Sequence, residues 1–353
     1  MTHDIEKLRA QHDPGDMYGK VAGFPSQMKA AWKIGADFVP HVPAGDYSRI
    51  VVCGMGGSAI GGDLLRSFFG DRLRAPLVGC RDYSVPRYLT DGAFVIVSSY
   101  SGNTGETLSA YESLRGSGAK VVAVTSGGEL AKKCEADSVP VCLIPGGMPP
   151  RSAIGYSFLP MTQILRAAGL GTFEDSEFDE AVEAIEALCE ACAMGSDVNP
   201  ALDLALELRG RLPFIYAGPG LLEAAARRWA CQFNENAKML AHFAYYTELN
   251  HNEIVGWETQ EGLMDEIVVV SLEDRDDHPM TSRQADVGLG IIEELSGGII
   301  RLRSEEGGRM KRLLTTMVLG DFASVYMALL AGVDPTPVKK IDFLKQQLKK
   351  VES

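Results

Sequence analysis

Histidine is scarce and scattered in this chain: six residues, at positions 3, 12, 41, 242, 251 and 278, show no close ligand spacing. A histidine-built metal centre is therefore not expected, because such centres draw their ligands from short, recurring spacings. Cysteine supplies no framework either. Seven cysteines, at 53, 80, 134, 142, 189, 192 and 231, are odd in number and irregular in interval, which suits a reducing compartment rather than a disulfide scaffold. Cys189 and Cys192 have redox or metal spacing, but they lie in a continuous helical pattern with no second pair and read as buried helix thiols.

Positive charge is also in short supply. The 34 basic residues against 47 acidic ones leave a net charge of −13, which repels nucleic acid and anionic membranes, and no basic patch interrupts it. The opening MTHDIEKLRAQHDPG is polar and mixed in charge, so no signal peptide is expected and the reading is cytoplasmic. A run from Leu313 to Val333 has about membrane-spanning length. Asp321 at its centre and four hydroxyl residues predict a helix buried in protein instead.

What is present is a chain of 353 residues, 46% hydrophobic, long enough for two average domains with real cores. From residue 49 to about 143, short Val/Ile-rich runs alternate with helical periodicity: RIVVCG, PLVGC, FVIVSS, KVVAVT and VPVCLI are the strands. After a helical stretch from about Ser152 to Cys192 the pattern restarts in LPFIYAGPGLLEAAARRWACQF, followed by the strands EIVVVS and GIIRLR. The expectation is an α/β protein of two similar units, each a parallel sheet flanked by helices. Residues 1–195 form the first unit with a helical lead-in, and residues 196–353 the second with a C-terminal helix. Ligands of such sheets sit at the C-terminal strand ends.

Two loops at those ends point to an anion. Gly54-Met-Gly56-Gly57-Ser58-Ala59 fits the dinucleotide fingerprint G-x-G-x-x-G/A, with Asp82 placed to meet a ribose, so a nicotinamide-dependent oxidoreductase is one reading. The third strand runs into Ser98-Ser99-Tyr100-Ser101-Gly102-Asn103-Thr104-Gly105, and then a helix begins. Several hydroxyls around a fresh helix N-terminus surround a phosphate with neutral donors plus about half a unit of dipole charge. An ordinary N-cap would account for Thr104 but not for Ser99 and Ser101 as well. The density of donors favours a phosphate monoester.

At these residues the chain resembles a known family. SSYSGNTGETL is similar to the sugar-phosphate loop of the sugar isomerase (SIS) domain, and GMGGSAIGGDLL, FNENAK and LNHNEIVGW together resemble the bifunctional phosphoglucose/phosphomannose isomerases. The resemblance runs from the first glycine loop to IDFLK near the C-terminus. It implies two SIS-type domains and an isomerase that interconverts glucose 6-phosphate and fructose 6-phosphate through a cis-enediol(ate), with no metal or other cofactor. Phosphate binding falls on Ser99, Ser101 and Thr104 with Gly56, Gly57 and Ser58 of the first loop.

The same resemblance assigns the shuttling base to Glu235 and ring opening to His251, contributed by the neighbouring subunit of a homodimer with shared active sites. Arg151, following two prolines that exclude a helix interior, is placed to stabilise enediolate charge, and Lys345 assists ring opening. One position departs from the family. Val338 stands where a threonine is associated with mannose 6-phosphate, and Thr336 lies two residues earlier; the departure bears on mannose and leaves the glucose–fructose reaction untouched. A non-catalytic sugar-phosphate sensor on the same fold would need the hydroxyl loop but neither Glu235 nor His251, and no basic output module is visible.

Overall fold

A computed structural model describes residues 2–351. The first unit is a five-stranded parallel sheet of β1 (Arg49–Cys53), β2 (Leu77–Cys80), β3 (Ala93–Ser99), β4 (Lys120–Thr125) and β5 (Val141–Leu143), in the order β2-β1-β3-β4-β5. All seven residues of β3 are buried, as a central parallel strand covered on both faces requires. The second unit is a four-stranded parallel sheet of β6 (Leu212–Ala217), β7 (His242–Tyr245), β8 (Ile267–Glu273) and β9 (Gly298–Arg303), in the order β7-β6-β8-β9. Superposing the orders sets β6 on β1, β7 on β2, β8 on β3 and β9 on β4, so the second unit repeats the first without its fifth strand.

The strand that sequence periodicity does not reveal is β7, only four residues long and half-buried throughout. Every other strand lies on a run the pattern marks.

The apolar run near the C-terminus is the helix Arg309–Leu330, whose most apolar stretch is 83% buried inside the protein. It packs against the helices Asp175–Ala191, Pro200–Glu207 and Glu223–Glu235. One hydrophobic core therefore runs from Phe68, Phe158 and Ile185 of the first unit to Trp229, Phe322 and Tyr326 of the second. Trp229 donates its indole N–H to the carbonyl of Thr316 at 2.9 Å, fixing the helix that ends in Glu235. Asp321, fully buried at the centre of the apolar helix, is held bidentately by Arg228 at 3.0 and 2.7 Å and accepts a third bond from Gln232 at 2.9 Å. A buried carboxylate with three such donors has its charge matched in place.

Candidate active site

The hydroxyl loop is held open at the end of β3. Thr104 occupies the N-cap position of the helix Gly105–Ser113, yet its side chain does not cap it. Instead Ser99 Oγ donates to Thr104 Oγ1 at 3.2 Å, and Ser101 Oγ accepts from the Asn103 N–H at 3.2 Å. One turn into the helix, the hydroxyl of Thr107 is buried without a partner. The helix N-terminus thus keeps its free N–H groups, which is what an anion requires.

Ser58 joins the two loops. Its Oγ accepts the Tyr100 N–H at 3.1 Å, and the Tyr100 hydroxyl in turn accepts the Met148 N–H at 3.1 Å, drawing in the loop that leads to Arg151. The glycines ahead of Ser58 serve close approach. A Cβ on Gly54 would lie 2.8 Å from the Ser98 carbonyl oxygen, and one on Gly57 would lie 3.0 Å from that of Pro150. Only Gly56, in the left-handed region at φ +52°, faces open space. Of the two fingerprint glycines, Gly54 is therefore packed against the chain's own backbone and Gly56 is open. Asp82 is exposed and accepts from the backbone N–H of its neighbour Tyr83.

Beyond the glycine loop lies a cavity of about 210 Å³, lined by Gly56, Gly57, Arg81, Arg151, Gln232 and Glu235 among others. Glu235 ends its helix about one-third exposed, with its carboxylate 3.5 Å from the guanidinium of Arg151. Arg151 is buried and fully engaged: Nε donates to Asn236 Oδ1 at 2.6 Å, and Nη2 to the carbonyls of Pro335 and Thr336 at 2.6 and 2.8 Å. Burial lowers this guanidinium from its ordinary value, and Glu235 beside it acts in the opposite sense. A fixed cation next to a reachable carboxylate is the pairing that proton abstraction next to a carbonyl needs. The amides flanking Glu235 do not touch its carboxylate. Asn234 donates to the Ala230 carbonyl, and Asn236 bridges Arg151 to Ser324.

Two of the expected residues stand apart. His251 follows the short helix Tyr246–Leu249, is exposed, and does not line the cavity that holds Glu235. Its neighbours Asn250 and Asn252 bond to the Gln284 carbonyl and Glu248. Lys345 lies exposed on the helix Lys339–Val351, likewise outside that cavity. Val338 is half-buried just ahead of this helix. The Thr336 hydroxyl, buried without a partner, packs against Gly15.

Sequence reasoning passes over three groups. Arg228 Nη2 donates to the Arg151 carbonyl at 2.7 Å, tying the Asp321 pair to the site. Arg81 and Arg227 both reach Asp63 at the cavity rim, the latter at 3.8 Å. Lys238, at φ +59°, sends its Nζ to the carbonyls of Glu235, Pro335 and Pro337 at 2.5, 3.1 and 2.7 Å. Its motif neighbour Glu235 is the only signal that marks it.

Residues 197–348 match the family described as the bacterial phospho-glucose isomerase C-terminal SIS domain. The bifunctional phosphoglucose/phosphomannose isomerase of Caldicellulosiruptor bescii is 40% identical over 338 residues, covering 95% of this chain and all of that protein. The protein of the same name from Aquifex aeolicus is 32% identical, covering 95% of this chain and 99% of its own. Among solved structures, tagatose-6-phosphate ketose/aldose isomerase from Escherichia coli shares the fold, with a TM-score of 0.68 at 18% identity over 90% of this chain and 94% of that one. With identity at this level over nearly the whole length, and with the glycine loop, hydroxyl loop and Glu235–Arg151 pair in place, the chain belongs to the bifunctional phosphoglucose/phosphomannose isomerase family.

Proposed function

We propose that the protein is an aldose–ketose isomerase of hexose 6-phosphates, interconverting glucose 6-phosphate and fructose 6-phosphate by proton transfer through a cis-enediol(ate). The observation that carries this reading is the Glu235–Arg151 pair at 3.5 Å, in a cavity walled by the glycine loop that leads to Ser58 and the hydroxyl loop. Ser99, Ser101, Thr104 and Ser58 hold the phosphate with the helix N-terminus. Glu235 moves the proton between C2 and C1, and Arg151 stabilises the charge that develops on the enediolate oxygens. Mannose 6-phosphate is the second substrate of the reading, and the loop from Pro335 to Val338 is where its acceptance is decided.

The two units are SIS-type domains, residues 1–195 and 196–353, and the active assembly is a homodimer in which His251 of the neighbouring subunit opens the sugar ring, with Lys345 assisting. Two features support this. His251 is exposed and separate from the cavity of its own chain, and the helix carrying Lys345 leaves Ile341, Phe343, Leu344 and Leu348 between 40 and 62% exposed. An apolar face of that kind is covered in an assembly.

Glu235→Gln tests the mechanism. It keeps size and much of the hydrogen bonding but removes the base, so kcat is expected to fall by about 10²–10⁴. In heavy water the wild-type enzyme should place deuterium at C1 or C2, because a proton passed through an enediol exchanges with solvent. Wild-type turnover in the variant, or no deuterium in the product, would point to a hydride shift and remove Glu235 from its role.

A further inference from the structure

Cys53 and Cys80 are thiols that the isomerase chemistry leaves unused. Cys53 is the last residue of β1 and Cys80 the last of β2, and the parallel register sets them directly opposite each other. Neighbouring strands lie about 4.8 Å apart, inside the window of about 4.4–6.8 Å between Cα atoms that a disulfide accepts. Both side chains enter the same small core beside the helix Gly105–Ser113, with Cys53 fully buried and Cys80 8% exposed.

Cys80 Sγ donates to the Ser84 carbonyl at 3.4 Å. The neighbouring Cys53 lowers the Cys80 thiol to about 7, and Cys80 together with burial raises Cys53 well above its ordinary value, so Cys80 is the member that ionises near neutral pH. Cys189, partly buried, and Cys192, buried just past the end of the helix Asp175–Ala191, are both pushed up to about 12 by burial and stay protonated.

Both strand ends run directly into the wall of the site. Cys53 leads into Gly54–Ser58, Cys80 leads into Arg81, and the Gly54 N–H donates to the Cys80 carbonyl at 3.2 Å. Gly56, Gly57 and Arg81, all lining the cavity, lie within four residues of one or the other cysteine.

We propose that Cys53 and Cys80 form a redox-sensitive pair that closes to a disulfide in the presence of a hydroperoxide and thereby switches off the site above it. The Cys80 thiolate attacks the peroxide oxygen and breaks the O–O bond, giving a sulfenic acid and, from hydrogen peroxide, one water. The Cys53 sulfur then displaces the sulfenic oxygen as a second water, and the S–S bond forms. Two thiols lose two electrons and two protons, and the peroxide gains them. The switching consequence rests on the isomerase reading given above; the disulfide does not.

The test treats the reduced, full-length protein with hydrogen peroxide, blocks free thiols with an alkylating agent, and maps peptides without reduction. A Cys53 peptide joined to a Cys80 peptide is expected. Isomerase activity should fall in step with that cross-link by about 10²-fold, the cost of an ångström-scale misplacement, and return with dithiothreitol. Cys80→Ser should keep its activity under the same treatment. Inactivation without the Cys53–Cys80 peptide, or a Cys80→Ser protein that inactivates as fast as wild type, would overturn the proposal. A protein that forms the cross-link but never shows isomerase activity would instead overturn the functional reading, since the mapping needs no substrate.

Discussion

Lys238 shows how much of the site hangs on one side chain away from the chemistry. It binds the backbone carbonyl of Glu235, the proposed base, and two carbonyls of the segment 335–337, and Pro335 O is shared with Arg151. Base, guanidinium and loop are therefore registered against one ammonium, whose pKa is lowered by its burial and by Arg151. Lys238→Met should lower kcat by about 10–100-fold, the equivalent of the 1.5–3 kcal/mol that a charged hydrogen bond carries, while KM moves much less. Lys238→Arg should recover part of kcat. Equal losses in kcat and thermal stability, with no recovery in arginine, would mark the lysine as structural only. None of this is legible in FNENAK. The motif marks Glu235, but a left-handed backbone at Lys238 and carbonyl partners about a hundred residues away are consequences of the tertiary fold. Arg151 was more legible, because Pro149 and Pro150 exclude a helix interior and leave its loop to turn inward.

At the scale of elements, the two sheets share the order of four strands, but the end of β3 is neutral and the end of β8 acidic. Where β3 ends in hydroxyls, β8 ends in Glu273-Asp274-Arg275-Asp276-Asp277. Asp274 and Asp276 pair with Arg312, and the Asp277 carboxylate packs against Gly218 of the loop after β6 and accepts the Asp274 N–H at 3.1 Å. The second sheet therefore fills its own ligand end with carboxylates. Burial, then Asp274 and Glu273, raise Asp277 to about 6. A carboxyl raised in the folded state binds its proton more tightly there than in the unfolded chain, so its stabilising contribution is full below about pH 4 and lost as pH rises through about 6. Asp277→Asn should accordingly stabilise the protein at pH 7–8 by about 1–2 kcal/mol, discounted for partial exposure, with the gain vanishing near pH 4. Denaturant midpoints at the two pH values check this, and an equal effect at both would show that the carboxyl is not strained. The repeat itself was legible because both units reuse strand, Gly-x-Gly turn and helix. β7 was not, since four half-buried residues carry too little alternation to separate a strand from a loop.

For the whole molecule, the separation of Glu235 from His251 is the fact that an account of function has to absorb. One chain sets Glu235, the proposed base, beside Arg151 and the glycine loop in one cavity, yet His251 is exposed and outside that cavity. If two-fold symmetry brings the histidine of one subunit to the glutamate of the other, each site takes one residue from each chain. Glu235→Gln and His251→Ala then damage both sites of their own homodimers, but a mixed dimer holds one doubly damaged site and one intact site. Random mixing makes half of the dimers mixed, and half of their sites are whole, so a mixture should recover about a quarter of wild-type turnover. The two variants, each tagged differently, are co-expressed, and the doubly captured fraction is assayed. That fraction contains mixed dimers alone and should show about half of the wild-type rate per dimer. Recovery of this kind cannot come from a site built within one chain, because a chain carrying either substitution would stay damaged whatever its partner. A doubly captured dimer no more active than its parents would return both residues to a single chain, and His251 would then need a movement across the surface to reach Glu235.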